Sequence, residues 1–433
     1  MGCMQSSPEA DEKSVQGSAV FIFVPGWRAP CRTAELGRLL HNLTSRAMAE
    51  NFLALRTRIE VMVSGEGSQP KLQRKRSALR QQQGQLPHYH AYSCFLCFIL
   101  CIPMHLSSSH ALTVADLQLA IEDYLPVLLG LIGIEGSLKE QLEFCWTNQE
   151  DPQQETAIAD AHYELLSLLH LMAMLGLSQA NYLLTPVSST DGYQPKVTEE
   201  NKRASLDAFL KSSGILKFAL SHVMTQMSED LKKRLPSDLS KDTLHALYMQ
   251  AIGQGIEIQL SFAIENAKAT LAVKRRLACE QLKCWMQVKN DILSVPLCNK
   301  WGQKHKIFVD WKLGEAKATA HYFHGLILDE GADKDQHEKA AICLHLAEAY
   351  LRESKHFCAK FCTTMPATRV PPLMGAMKYL SEKIPKTASA KGHISGSTVD
   401  FEKMNKVPEL PDFVIALQPE DYDLPAADSA WRL

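Results

Sequence analysis

Apolar positions recur at spacings of three and four along most of this chain, the period of a helix that buries one face. The stretch from Thr33 to about Ser64 has that pattern. TVADLQLAIEDYLPVLLGLIG has it too, opening on a Thr cap and carrying Pro126, where a kink is expected. QETAIADAHYELLSLLHLMAMLGLSQANYLL is apolar nearly all round and predicts a central buried helix with His170 as a core histidine. A further helix is expected from a Thr198 cap, with Glu199 and Glu200 in its first turn, where the helix dipole favours acid. From Ser237 to Leu293 the pattern gives two or three helical segments. Gly253 and Gly255 in their midst either weaken the helix or admit a close neighbour. KHKIFVDWKLGEAKATAHYFHGLILDEG and DQHEKAAICLHLAEAYLRESKHFCAKF alternate small and large apolar residues around a polar turn, as stacked tetratricopeptide-like hairpins do.

Four stretches break the period. Residues 1–18 are small and polar and read as a flexible leader. AVFIFVPGWRAP is a short extended run, the best strand candidate in the chain. Residues 65–112 read as a loop, locally basic at KLQRKRSALR, with a continuous apolar segment from Ala91 to Leu106. That segment is shorter than the roughly 20 residues a spanning helix needs, and Pro103 interrupts it. After Lys383 the chain turns extended, spaced by prolines through VDFEKMNKVPELPDFVIALQPEDYDLP, and is expected to wrap the helical body.

Composition narrows the function classes. The 433 residues are 46% hydrophobic and 22% charged, with a formal net charge of −2, so no global field draws the chain to nucleic acid. Twelve cysteines without a secretory leader imply reduced thiols. The opening MGCMQSS fits N-myristoylation, with Gly2 as acyl acceptor and Ser6 as the small hydroxyl, and Cys3 stands ready for a palmitate. One myristoyl chain binds membranes with a constant of only about 10⁴ per molar, so a second signal matters.

Catalytic motifs are missing from the sequence: there is no phosphate-binding loop, no H-E-x-x-H and no G-x-S-x-G elbow. Cys94, Cys97 and Cys101 lack a fourth ligand. His321 and His324, three apart, read as a packing face, and so do Cys358 and Cys362 near His356. Gly253-Gln254-Gly255 lies in a helical pattern and reads as packing, and Lys274-Arg275-Arg276 as a solvated face. No metal and no cofactor are expected.

The order of several segments resembles the BRO-one domain family, the curved helical module of Alix and Brox-like proteins. The segments are FCWTNQE with Phe144 and Trp146, YELLSLLHLMAMLGLSQA, FLKSSGIL, YMQAIGQGIEIQL, EAKATAHYFHGLILDEG and FEKMNKVPELPD with Phe401 in place of tyrosine. The MGC start, VPGWRAP, EDYLPVLLGL, DGYQPKVTEENKRAS, ATLAVKRRL and MKYLSEKIP are similar to the plant branch of endosomal targeting BRO-one-like proteins. In that branch the arginine-rich loop runs almost directly into the EDYLPVLLGL helix. The resemblance therefore implies that residues 81–110 are an insertion foreign to the fold, a retained intron or alternative gene model.

The resemblance implies an all-α, boomerang-like domain over 19–425. It would have a tetratricopeptide-like helical core, a short N-terminal β element, an extended C-terminal segment and a tail at 426–433. It implies a non-catalytic adaptor of multivesicular body sorting that binds the C-terminal amphipathic helix of an ESCRT-III subunit of the Snf-seven class. Carried over residue by residue, the docking patch falls on Gln259, Val273, Arg276 and Leu277, with Glu199 and Arg203 flanking it. Gln259 stands where the family has a large aromatic, and Ile256 where it has a glutamine. Binding of YPxL peptides is not expected. The acyl chains would place the protein on the cytoplasmic face of endosomal or plasma membranes, beside a cytosolic pool. Two alternatives stay open: an enzyme with an unrecognised pocket, and a membrane-inserted protein using 91–106. The oligomeric state is not legible.

Overall fold

A computed structural model describes residues 23, 26–64, 114–134, 138–149, 153–184, 197–296, 300–331, 333–365, 378–392 and 407–431. The leader with Gly2 and Cys3, and the whole 65–112 loop with its 81–110 insertion and 91–106 segment, lie outside them.

The expected N-terminal strand is only β1, Pro30–Cys31. Phe23, earlier in the same apolar run, is not in a strand and is fully buried. The pattern from Thr33 to Ser64 divides at Thr44 and Ser45 into α1 (Thr33–Leu43) and α2 (Arg46–Ser64). Helix α3 (Val114–Ile132) runs through Pro126, and a single turn, α4 (Leu138–Gln141), follows. The sequence pattern missed a hairpin: β2 (Glu143–Thr147) pairs antiparallel with β3 (Glu155–Ala159), and β1 pairs with the other edge of β2. Residues 155–159, expected at the start of the central helix, are therefore strand. Asp160 sets the start of that helix, because its carboxylate accepts from the backbone N–H of His162 and caps the helix there.

The central helix α5 (Ala161–Leu183) is buried along most of its circumference, as its all-round apolar pattern requires. Helix α6 (Glu199–Phe218) starts at the Thr198 cap, whose hydroxyl accepts from Asn201 N, and continues through a π turn to Gln226. A short α7 (Glu229–Arg234) leads to α8 (Lys241–Glu265), α9 (Leu271–Ser294), α10 (Lys300–Asp329) and α11 (Lys334–Thr363). Helix α10 packs along α11, the hairpin expected from their small and large alternation. The chain does not turn extended at Lys383. Helix α12 (Lys378–Gly392) carries on through Pro385, because Leu380, Ile384 and Ala388 form one buried stripe at helical spacing. Residues 407–428 are extended, as expected.

Two cores result. The first surrounds α5 and takes side chains from α1, α2, α3, β2 and α6. The second lies among α9, α10, α11 and α12 and includes Phe23. Helix α8 is the wall between them: Leu244, Leu247 and Ile258 face the first core, and Met249, Ile252 and Ile256 the second. Gly253 resolves the choice the sequence left open, since a Cβ there would stand 3.1 Å from the Cys284 Cβ of α9. It is a site of close helix approach.

Buried charge ties the first core together. Arg56 of α2, 1% exposed, meets Glu164 of α5, 0% exposed, at 2.9 Å. The same guanidinium donates to the carbonyls of Cys31 (3.0 Å) and Cys145 (2.9 Å) and to the Thr33 hydroxyl. Glu164 also accepts from Trp146 Nε1 (2.5 Å) and from the Tyr124 hydroxyl (3.2 Å). Burial, with the Glu164 charge beside it, pushes Tyr124 well above its ordinary value, so it stays a donor. A second buried pair joins Arg28 to Asp238 at 2.6 Å, with the Arg28 guanidinium also donating to the Tyr163 hydroxyl.

The C-terminal segment wraps the body as a strap. Lys283 of α9 pairs with Asp412, Glu420 N donates to the Leu210 carbonyl of α6, and Asp428 N to the Pro126 carbonyl of α3. That last bond uses a C-terminal segment to engage the proline-bearing turn of α3. Trp431, in the stretch read as a tail, is buried beside Phe52.

Two predictions follow from the buried groups. Glu164→Ala leaves Arg56 charged and buried without its carboxylate, which costs about 3–5 kcal/mol of unfolding free energy, measurable by urea denaturation. The second concerns His170 and His305, both buried and held down to about 4 by desolvation. In the unfolded chain they take protons near pH 6.5, so between that pH and about 4 the unfolded state binds more protons than the folded. The urea midpoint should therefore fall as pH drops from 7 to 4.5, and His170→Leu should flatten the fall.

Candidate functional site

The residues carried over from the family lie on three helices at one end of α8. Asn266–Thr270 turns α8 back into α9, with Asn266 accepting from the N–H groups of Lys268 and Ala269. The Thr270 hydroxyl caps α9 by accepting from Val273 N at 3.3 Å. Gln259 and Leu277 are equidistant in sequence from Lys268, so the hairpin sets them at one level. Helix α6 packs on α8 from the other side and brings Glu199 and Arg203 to the same end.

The strap forms one rim of this face. Its Leu417 lies against Gly255 of α8, and the backbone N–H of Ala416 donates to Glu280 of α9 at 2.9 Å. On α6 the strap carbonyl of Glu420 presses so close to Gly214 that no side chain fits there.

Within the face, Val273 is 47% exposed. Leu277 is half-buried and packs on the second core. Arg276 is exposed, with its Nε 2.8 Å from Glu280, a carboxylate buried beneath it that the strap also engages. Gln259 is half-buried. Glu199 and Arg203 form an exposed pair at 2.6 Å, one helical turn apart. Ile256 is fully buried, so its departure from the family's glutamine concerns the core rather than the surface. The sequence reading missed Phe262. This half-buried ring lies one turn beyond Gln259, with Arg203 and Lys202 each 5.5 Å from its centroid. An aromatic at i+3 from Gln259 was the available signal; which cations cover it depends on how α6 docks. Lys202 is in turn paired with Glu265 at 2.6 Å.

Other candidate chemistry resolves differently. His321 stacks on Tyr350, and burial, then the neighbouring His324, holds it down to about 4. Cys358 is pushed up to about 12, chiefly by burial. Lys312 of α10 is enclosed between Glu257 (2.7 Å) and Glu315 (2.6 Å), and burial raises Glu257 to about 7. In the Arg56–Glu164 node the two charges meet each other, and in the Lys312 cluster the ammonium meets both carboxylates. An open hollow of about 450 Å³ lies between α1 and α2, lined by Thr33, Arg38, His41, Thr57 and Glu60 among others. Among the described residues, the metal-type donors that converge are Cys31, Cys145 and Glu155, far apart in sequence. No described helix is long and apolar enough to cross a membrane.

No family model matches the chain. No curated protein matches it either. Solved structures do. One is the crystal structure of ALIX in complex with the SIVmac239 PYKEVTEDL late domain, with a TM-score of 0.55, 15% identity and 94% of this chain covered. This chain spans half the length of that ALIX chain. Another is an ALIX BRO1–CHMP4C complex, with a TM-score of 0.50 and 15% identity, covering 94% of this chain and 96% of that one. At that identity the likeness is one of fold, and the chain has the mostly helical BRO1 fold.

Proposed function

We propose that the chain is a non-catalytic adaptor that docks an amphipathic helix of an ESCRT-III subunit on the face made by α6, α8 and α9. The observation that carries this reading is the coextensive likeness to a BRO1 domain solved with CHMP4C, covering 94% of one chain and 96% of the other. The physics of the face supports it. Val273 offers an apolar anchor, Leu277 a partly covered one, and Arg276, Arg203 and Glu199 charges that set register. Phe262 supplies an aromatic one turn from Gln259, where the family has its large aromatic.

The same reading places the protein on the cytoplasmic face of endosomal or plasma membranes through acyl chains on Gly2 and Cys3, in multivesicular body sorting. A membrane anchor raises the local concentration of a partner held on the same surface, so modest affinity suffices.

Fluorescence anisotropy with a labelled C-terminal helix of a Snf-seven-class subunit tests the face. Val273→Asp should weaken binding at least tenfold, about 1.4 kcal/mol, with the thermal midpoint unchanged because the side chain is exposed. Unaltered binding removes the site assignment. Membrane partition tests the anchor. Gly2→Ala should move the protein to the soluble fraction whether or not residues 81–110 are present. Retention that depends on 81–110 would make the apolar insertion the anchor instead.

A further inference from the structure

Where β1 meets β2, Cys31 lies directly opposite Cys145, and their Sγ atoms are 3.1 Å apart. Opposed partners in an antiparallel ladder have Cα atoms about 4.5–5.5 Å apart, inside the range of about 4.4–6.8 Å that a disulfide spans. The two strands are held there without help from the sulfurs. Arg56 donates to the carbonyl of each cysteine, and Thr147 N donates to the Ala29 carbonyl at 2.9 Å. Joining the sulfurs therefore needs a movement of about 1 Å within a braced frame.

The surroundings favour reaction. The Cys31 thiol donates toward Cys145, whose own thiol lies 3.8 Å from a Glu155 carboxylate oxygen; the hydrogen bond from Cys31, with the Arg32 and Arg56 charges, outweighs burial and the Glu155 charge and holds Cys145 below its ordinary value. The same contact, then burial, pushes Cys31 up, so Cys145 is the more acidic sulfur of the pair and Cys31 the one that keeps its proton. Cys31 is half-exposed, which gives a small oxidant a way in. Cys145 is itself buried, like Cys279, Cys284 and Cys343, which burial chiefly pushes up to about 11, 12 and 12.

A metal is the competing use, because the Glu155 carboxylate lies within 4.8 Å of both sulfurs. Two observations count against it. Two thiolates on a tetrahedral zinc at about 2.3 Å stand about 3.8 Å apart, wider than this pair. Glu155 is also already paired with Arg32 at 2.5 Å.

We propose that Cys31 and Cys145 form a redox-responsive thiol pair, which a hydrogen peroxide-type oxidant closes to a disulfide that locks β1 to the β2–β3 hairpin. The Cys145 thiolate attacks one peroxide oxygen and the O–O bond breaks. Cys145 is oxidised to the sulfenic acid, and the departing hydroxide takes a proton to become water. The Cys31 sulfur then displaces the sulfenic hydroxyl. The Sγ–Sγ bond forms, and the hydroxide leaves with the Cys31 proton as a second water. Two thiols and one peroxide give one disulfide and two waters. The bond joins residues 114 apart in sequence and fixes the point where the chain enters the fold.

The test is a thiol map of the reduced full-length chain before and after hydrogen peroxide, with free thiols alkylated, the protein digested and the peptides weighed. The expected product is the Cys31 peptide joined to the Cys145 peptide, lighter by two hydrogens and released by dithiothreitol. In Cys31→Ser the cross-link is lost and Cys145 reacts with dimedone as the trapped sulfenic acid. Recovery of both cysteines as alkylated thiols after peroxide treatment overturns the proposal. So does a zinc-loaded chain, one ion each, whose pair resists peroxide until the metal is chelated. The wild-type map decides the matter even if the variants fail to fold.

Discussion

Everything in the first half of this protein is arranged around the contact between Arg56 and Glu164. Both are removed from water, so each charge must be met by the other and by further hydrogen bonds. Meeting that requirement draws in β1 through the Cys31 carbonyl, β2 through the Cys145 carbonyl and Trp146, and α3 through Tyr124. A neutral side chain at either position would pack but would not fix five elements in one register. The Arg28–Asp238 pair does the same work a few residues upstream, holding the entering chain against Tyr163 and the turn before α8.

Helix α8 carries that order into the second half. It is apolar on both sides because it has a core on each, and its remaining stripe is covered by the strap at Gly255 and open toward Gln259 and Phe262. Phe23 crosses to the second core, where the Gln250 side chain donates to its carbonyl and accepts from His305. Phe23 and Trp431 thus pack into different cores of the same body.

The candidate face depends on this arrangement more than on its own residues. Its Glu199–Arg203 pair is exposed, and an exposed pair contributes little stability. Glu280 is different in kind. Buried under Arg276 and bonded to the strap at Ala416, it couples the edge of the face to the C-terminal segment.

The helices of this fold were legible because their evidence is local. An apolar period, a Thr198 cap and an alternation of small and large residues act over a few turns, and α5, α6, α8, α10 and α11 followed from them. The family resemblance named Trp146 and the helix bearing Glu164 as separate marks; that they meet at 2.5 Å is a tertiary fact. The hairpin strand β3 was read as helix because its five residues carry too weak a period to outvote the helix that follows, and β2 alone decides it. Likewise the extension expected after Lys383 gives way to α12, because the buried stripe at Leu380, Ile384 and Ala388 needs the helix to run on. The sequence by itself determined where helices form and which faces they bury, since those depend on neighbours within one or two turns. Only the tertiary structure decided what lies on Phe262, which surface the strap leaves open and that Cys31 faces Cys145, because each is set by residues that the chain separates by tens to hundreds of positions.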